Sequence, residues 1–249
     1  MKNNYLVLQY LLSIVFVVCL AGNLSAQKNQ GKQFKIVFYN TENIFDTVDD
    51  PNKSDEDFLP TAQVAWTAER YANKLNHIAR ALVSIDSINL PAVIGLAEVE
   101  NIGVLNDLIS KTSLQKGKYA AILEEGSDPR GIDVAMIYRK DVMKYIGHNA
   151  FPSATSFNTR ALLYVRLADA RGDTFHLFVN HWKSRSGGAA ETEPQRIENA
   201  QRVKFYTDSL LKRNPNANII LMGDFNDEPS DKSLSETLGA LKPEKKAVS

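Results

Sequence analysis

Four apolar runs in this chain stop in the same way. "FKIVFYN" closes on Asn40, "VIGLAEVEN" on Glu98, Glu100 and Asn101, "TFHLFVNH" on Asn180 and His181, and "NIILMGDFN" on Asp224 and Asn226. Runs of this length and residue type read as strands. Strands so apolar need cover on both faces. Polar groups at their ends ride on rigid backbone yet stay open to solvent, as a preorganised site requires. One such ending is an ordinary turn signal; four of them, mixing acids, amides and an imidazole, are not.

The rest of the chain supplies the cover. Between Thr67 and Ile85, apolar residues recur at helical spacing (Leu75, Ile78, Ala79, Leu82), which predicts an amphipathic helix. "NIGVLNDLIS" predicts a short helix, and "YAAILEE", "IDVAMIYR", "VMKYIGHN" and "RALLYVRLAD" predict strands. A polar-faced helix is expected from Pro194 to Leu211, with Pro194 in its first turn, and a last helix from Ser230 to Leu241. "DTVDDPNKSDEDFLP" reads as an acidic loop. No repeat or interdomain linker interrupts the pattern, so one layered α/β sandwich, sheets inside and helices outside, is expected over residues 34–249.

The N-terminus carries its own message. Lys2 precedes the apolar run "YLLSIVFVVCLAG", and the small residues of "NLSA" follow. This is the layout of a secretory signal peptide, residues 1–26, cleaved after Ala26 and leaving a polar leader, residues 27–33. The run is short for a membrane span, so none is expected in the mature chain. The exported protein would be periplasmic or secreted.

Cleavage narrows the chemistry. The full chain has 29 Lys plus Arg, 29 Asp plus Glu, and one cysteine, Cys19. Removing Lys2 and no acid leaves 28 against 29, a balance of −1, with no bulk charge to attract a polyanion. Removing Cys19 excludes disulfides, thiolate nucleophiles and thiolate-bound zinc. The sequence also lacks a GxSxG motif. Oxygen and imidazole groups are left to do the work. Acids suit a hard cation, and Mg2+ needs only one or two carboxylates with several waters. Imidazole, amide and cationic groups suit phosphoryl oxygens.

In order along the chain, "FYNTEN", "GLAEVEN", "RGIDVAMIYR", "VNHWKSRSGG" and "GDFNDEP" resemble the successive motifs of the endonuclease/exonuclease/phosphatase superfamily. That group includes pancreatic-type DNases, abasic-site endonucleases, neutral sphingomyelinases and inositol-phosphate phosphatases. The resemblance runs from about Phe34 to about Leu241, and "VNHWKSRSGG" is most similar to secreted bacterial members labelled nucleases. It implies a four-layered, DNase-like α/β sandwich with the site at one end of two packed sheets. It further implies Glu98 as principal ligand of Mg2+ (or Mn2+), with Asn40 beside it. Asp224 would orient or deprotonate the attacking water or assist the leaving group. Asn226 would hold a phosphate oxygen or a water, and His181 would donate to the scissile phosphate. Asp133, Lys183, Arg185 and Arg160 are the expected substrate contacts. The implied partner is nucleic acid or another phosphodiester, and no stable protein partner is implied.

Blander readings stand beside several of these. Lys183 and Arg185 also fit a solvated loop, and Arg160 a surface ion pair. Glu42 and Asn43 fit a turn, and His77, His148 and His176 fit structural roles. Trp182 fits packing better than base stacking. Glu100 alternates with Glu98, which places it on the same strand face, behind the metal.

One departure is plain. The superfamily's closing Asp-His motif has no counterpart after "GDFNDEP", where no histidine occurs. The expectation is a fragment of a longer enzyme that lacks the final strands, inert as it stands. The alternatives are a phosphatase or lipid phosphodiesterase of the same fold, and a non-catalytic module that binds nucleic acid or phosphate.

Overall fold

Alternation and helical periodicity sort this chain into two sheets and their covers. The computed structural model describes residues 33–151 and 160–241. The expected signal peptide, most of the polar leader and the last eight residues lie outside the described residues. A compact unit begins at Lys35.

The first sheet has the order β1-β2-β4-β3, from β1 (Ile36–Ile44), β2 (Val93–Val99), β3 (Tyr119–Leu123) and β4 (Asp133–Arg139). The second has the order β5-β6-β7-β8, from β5 (Lys144–Phe151), β6 (Leu162–Ala168), β7 (Thr174–His181) and β8 (Asn218–Asp224). β1 and β2 run parallel, as do β7 and β8; the other pairs are antiparallel. Within the described residues, β1 and β8 are edges of their sheets and touch one another. The carboxyl ends of both parallel pairs therefore meet at one end of the sandwich.

Helices close the outer faces. α1 (Ala68–Ile85) is capped by Thr67, whose side chain accepts from Arg70 N at 3.3 Å, and α2 (Ile102–Ser110) by Asn101, which accepts from Val104 N at 2.9 Å. Leu75, Ile78, Ala79 and Leu82 of α1 pack on Ile94 and Leu96 of β2 and Ala135 and Ile137 of β4. On the other face, Val203 of α3 (Ala189–Arg213) joins Leu162, Phe178 and Trp182. The layering is helix, sheet, sheet, helix.

Two helix boundaries differ from the sequence reading. α3 begins five residues before Pro194. Glu191 sits favourably in its first turn, and Arg196 donates to the Ala189 carbonyl at 2.8 Å, which ties the start of the helix to its own second turn. The expected last helix is only a π-helical turn, Ser233–Leu238, closed by Gly239 with φ 76°. Among the described residues no helix is long and apolar enough to cross a membrane.

Candidate active site

Three strand ends reach the site by simple alternation. Tyr39 of β1 packs toward the helices, so Asn40 faces the opposite sheet. Phe178 and Leu221 pack outward, so His181 and Asp224, each three residues later, face inward. These two are also register partners across β7 and β8.

Glu98 arrives differently. Ile94 and Leu96 pack against the helices, and alternation would send Glu98 the same way. Instead the register of β2 shifts between Ala97 and Val99, and that of β1 between Asn40 and Ile44. Glu98 takes φ 61°, and Glu42 and Asn43 take 53° and 62°. These left-handed kinks re-aim the carboxylate into the space between the sheets. Buried Thr41 secures them, its Oγ1 lying 2.8 Å from the carbonyl oxygens of both Ala97 and Glu98. Lys74 of α1 donates to the Glu42 carbonyl at 2.7 Å.

The kinks overturn the expectation for Glu100. It does not share the face of Glu98: its Oε2 accepts from Asp46 N at 2.6 Å, and it lines a different cavity. Burial, reinforced by nearby aspartates and only partly offset by that N–H, pushes its carboxyl up to about 7.

At the centre, Asn40 Nδ2 donates to Glu98 Oε1 at 3.2 Å and to Asp224 Oδ2 at 3.1 Å. Its Oδ1 accepts from Glu42 N at 2.8 Å, which fixes the amide's orientation. Asn40 is therefore a donor between two carboxylates here, rather than an oxygen ligand beside one. Asp224 Oδ1 accepts from Asn226 N at 3.0 Å, and Asn226 Nδ2 donates to the Trp182 carbonyl at 3.1 Å. Asn226 itself takes φ 51°. Gly223, with φ 153°, is where β8 needs glycine: a Cβ there would stand 2.2 Å from Asn180 O.

A cavity of about 540 Å3 opens over these groups. Three acids, Glu98, Asp128 and Asp224, line it together with Arg130, Arg160 and Lys183. His181 lines it as well, its Nε2 3.6 Å from Glu98 Oε1 and its Nδ1 buried without a partner. Burial, then the charge of Arg160, lowers its pKa to about 4, so the imidazole is neutral at ordinary pH. Arg160 is pinned, with Nη1 donating to the Trp182 carbonyl at 3.2 Å and Nε 3.2 Å from Asp128. Asp128 also accepts from Arg130. Burial pushes the Asp128 carboxyl up, but hydrogen bonds from the Arg130 side chain and backbone N–H, with the charge of Arg160, outweigh it and hold it below the usual range.

Two expected contacts lie elsewhere. Asp133 is buried and accepts from Gly126 N at 2.9 Å, holding the loop before β4 instead of facing the cavity. Burial pushes its carboxyl up to about 6. Arg185 lines a neighbouring cavity with Asp224 and Asn226, and is bonded to the Asn226 carbonyl, Asp227 and Asp231. Trp182 is packed edge-on against Phe225, with Nε1 donating to Asn180. His148 and His176 are held by Glu124 and Tyr164.

Several residues were not legible as site residues. Asp128 and Arg130 come from "GSDPRG", which reads as a turn. Asp227 follows a strand end, where an acid is an ordinary turn residue, yet its side chain is 1% exposed and pairs with Arg196 Nε at 2.6 Å and Ser233 Oγ at 2.5 Å. Arg196 also reaches the Lys183 carbonyl, so this pair ties both site loops to α3. The one available signal was an arginine inside a helix that immediately follows the site loop.

A family model described as the Endonuclease/Exonuclease/phosphatase family matches residues 35–249. The chain belongs to that family. Phosphoric-ester hydrolysis is the chemistry of the endonuclease/exonuclease/phosphatase family. No curated protein matches the sequence. Solved structures agree on the fold. A mannosyl-6-phosphatase from Bacteroides thetaiotaomicron aligns with TM-score 0.55 at 18% identity, over 83% of this chain and 70% of its own. Truncated Caenorhabditis elegans TDP2 aligns at 0.53 and 20% identity, over 68% and 61%. D. rerio TDP2, complexed with single-strand DNA product, aligns at 0.52 and 19% identity, over 85% and 67%. The chain thus spans about three fifths of the length of the C. elegans structure.

The donor set suits a hard cation. Two carboxylates converge on one amide, and among the described residues no lysine or arginine forms an ion pair with Glu98. Among the described residues no three acid, histidine or cysteine side chains gather into a metal cage, so a cation at Glu98 would keep much of its water.

Proposed function

We propose that this chain is an exported, Mg2+- or Mn2+-dependent hydrolase of phosphodiester bonds, acting on nucleic acid. The observation that carries the reading is the cavity of mixed charge: Glu98 and Asp224, from opposite sheets and joined through Asn40, line it together with Arg160, Arg130 and Lys183. The DNA product bound to D. rerio TDP2 supports a polynucleotide substrate. Lys2, the apolar run and "NLSA" support export.

Glu98 would hold the ion, with Asn40 and Asp224 fixing its surroundings. When bound, the ion supplies charge neutralisation and an acidified water. Asp224 is held through both oxygens and is oriented to accept a proton from the attacking water or to assist the leaving group. Asn226 and neutral His181 donate to phosphoryl oxygens, while Arg160 and Lys183 stabilise charge that develops there.

Supercoiled plasmid incubated with the full chain in Mg2+ should be nicked, and EDTA should stop it. Glu98→Gln should lower the rate by about a hundredfold or more. Undiminished nicking by Glu98→Gln would remove that residue from the site. A second reading, a phosphatase acting on a sugar or lipid phosphate, draws on the mannosyl-6-phosphatase of like fold. Release of phosphate from a monoester without nicking would favour it. DNA binding without turnover in Mg2+ would instead support a non-catalytic module.

A further inference from the structure

Two guanidinium groups share one carboxylate in the lining of the main cavity. Asp128 opens the turn "DPRG" before β4, with Pro129 at its second position and Gly131 N donating to the Asp128 carbonyl at 2.9 Å. Asp128 Oδ1 accepts from Arg130 N at 2.9 Å and from Arg130 Nε at 3.3 Å, the hold of an aspartate on its own turn. Oδ2 meets both arginines, Arg130 Nη2 at 3.2 Å and Arg160 Nε at 3.2 Å. Ser54 N braces the turn by donating to the Pro129 carbonyl at 2.8 Å.

Charge does not balance within this group. Arg160 and Asp128 are both buried, at 7% exposure each. Arg160 Nε stands near Oδ2 without the geometry of a hydrogen bond, and its Nη1 donates to a carbonyl, which carries no formal charge. Two cations against one carboxylate leave one positive charge over, and a buried charge without a counter-ion is costly. Among the described residues neither Glu98 nor Asp224 forms an ion pair with a lysine or arginine, so they do not meet it. Planar guanidinium groups suit the oxygens of a phosphate.

We propose, resting on the hydrolase reading above, that Asp128 is a positioning residue that aims Arg160 and Arg130 together at one phosphate group in the cavity. Asp128 itself touches no substrate. An acid beside an anion site repels the anion, so it is unfavourable there unless it gains more by fixing the cations that bind. A free arginine side chain loses many rotamers when it closes on a ligand; two held on Oδ2 have already lost them. Charge and positioning therefore predict opposite signs when the acid is removed.

The test uses the full chain in EDTA, titrated with inorganic phosphate and followed by amide NMR shifts. Phosphate should bind saturably, with a dissociation constant below about 10 mM. By charge alone Asp128→Asn should tighten binding; by positioning it should weaken binding about fivefold or more. Arg130→Gln alters a half-exposed side chain, which guards against a variant that fails to fold, and should weaken binding about threefold or more. Combined with Arg160→Gln, Asp128→Asn should cost about threefold less than the product of the two separate losses, because it acts through that guanidinium. Absence of saturable binding, tighter binding by Asp128→Asn, unchanged affinity in Arg130→Gln, or losses that simply multiply would each overturn the proposal. No metal and no turnover enter this titration. A chain that binds phosphate in this way yet never nicks plasmid would lose the hydrolase reading alone.

Discussion

An imidazole buried beside a guanidinium sheds its proton early. With His181 lowered to about 4 and an ordinary value of 6.5, the unfolded chain binds more protons than the folded one between those limits. Stability contributed through this residue is therefore present above pH 6.5 and lost as pH falls toward 4. Between pH 7 and pH 5 the loss should be about 2 kcal/mol. Urea melts should show that slope in the native chain and not in His181→Gln; equal slopes would mean the ring is not buried as described. The same neutrality predicts no rate loss from His181 titration between pH 5 and 8. At this scale much of the site was readable. Asn40, Glu98, His181, Asp224 and Asn226 are brought together as expected, because strand ends advertise themselves through abrupt changes in polarity. Asp133 and Glu100 misled. A carboxylate that closes a loop onto a backbone N–H leaves the same trace in sequence as one that meets a ligand.

Elements were legible where a period held over many residues, as in α1 and all eight strands, and less so at their ends. The start of α3 was missed because proline suits a first turn so well that it was taken for one. The kinks in β1 and β2 were invisible, since Glu42 and Glu98 are poor markers of left-handed backbone and Asn43, a better one, fits an ordinary turn equally well. The link between α3 and the loop after β8 was also hidden, because a buried ion pair needs two residues far apart in sequence. Arg196 and Asp227 are 2% and 1% exposed at their side chains. Removing Arg196 leaves buried Asp227 with only the part-exposed Arg185 to meet its charge, so Arg196→Met should cost about 3 kcal/mol by chemical denaturation. Asp227→Asn, which keeps an acceptor, should cost less. A double-mutant cycle that returned no coupling between the two would show the pair to be incidental.

The molecule as a whole depends on how closely its sheets approach. They come together at Gly95 of β2, where an added Cβ would lie 2.5 Å from Met222 Sδ and 3.3 Å from Val179. Glu98 belongs to one sheet and Asp224 to the other, and Asn40 reaches both. Gly95→Val should therefore cost about 1–3 kcal/mol as overpacking. Plasmid nicking should fall further than that loss explains, since a wider gap parts the two carboxylates. Nicking that tracked only the folded fraction would argue against spacing as the reason.

The left-handed backbone at Glu98 and Asn226 has a consequence for how such a protein changes under selection. At Glu98 it carries a strain on the order of 1–2 kcal/mol that glycine would not, while asparagine tolerates it at position 226. The Glu98 side chain holds no other element in place, so a library ranked by thermostability alone would drift toward glycine there, whereas Asn226, bonded to the Trp182 carbonyl, would be kept. The library's fittest members by that measure would be well-folded proteins emptied of their chemistry.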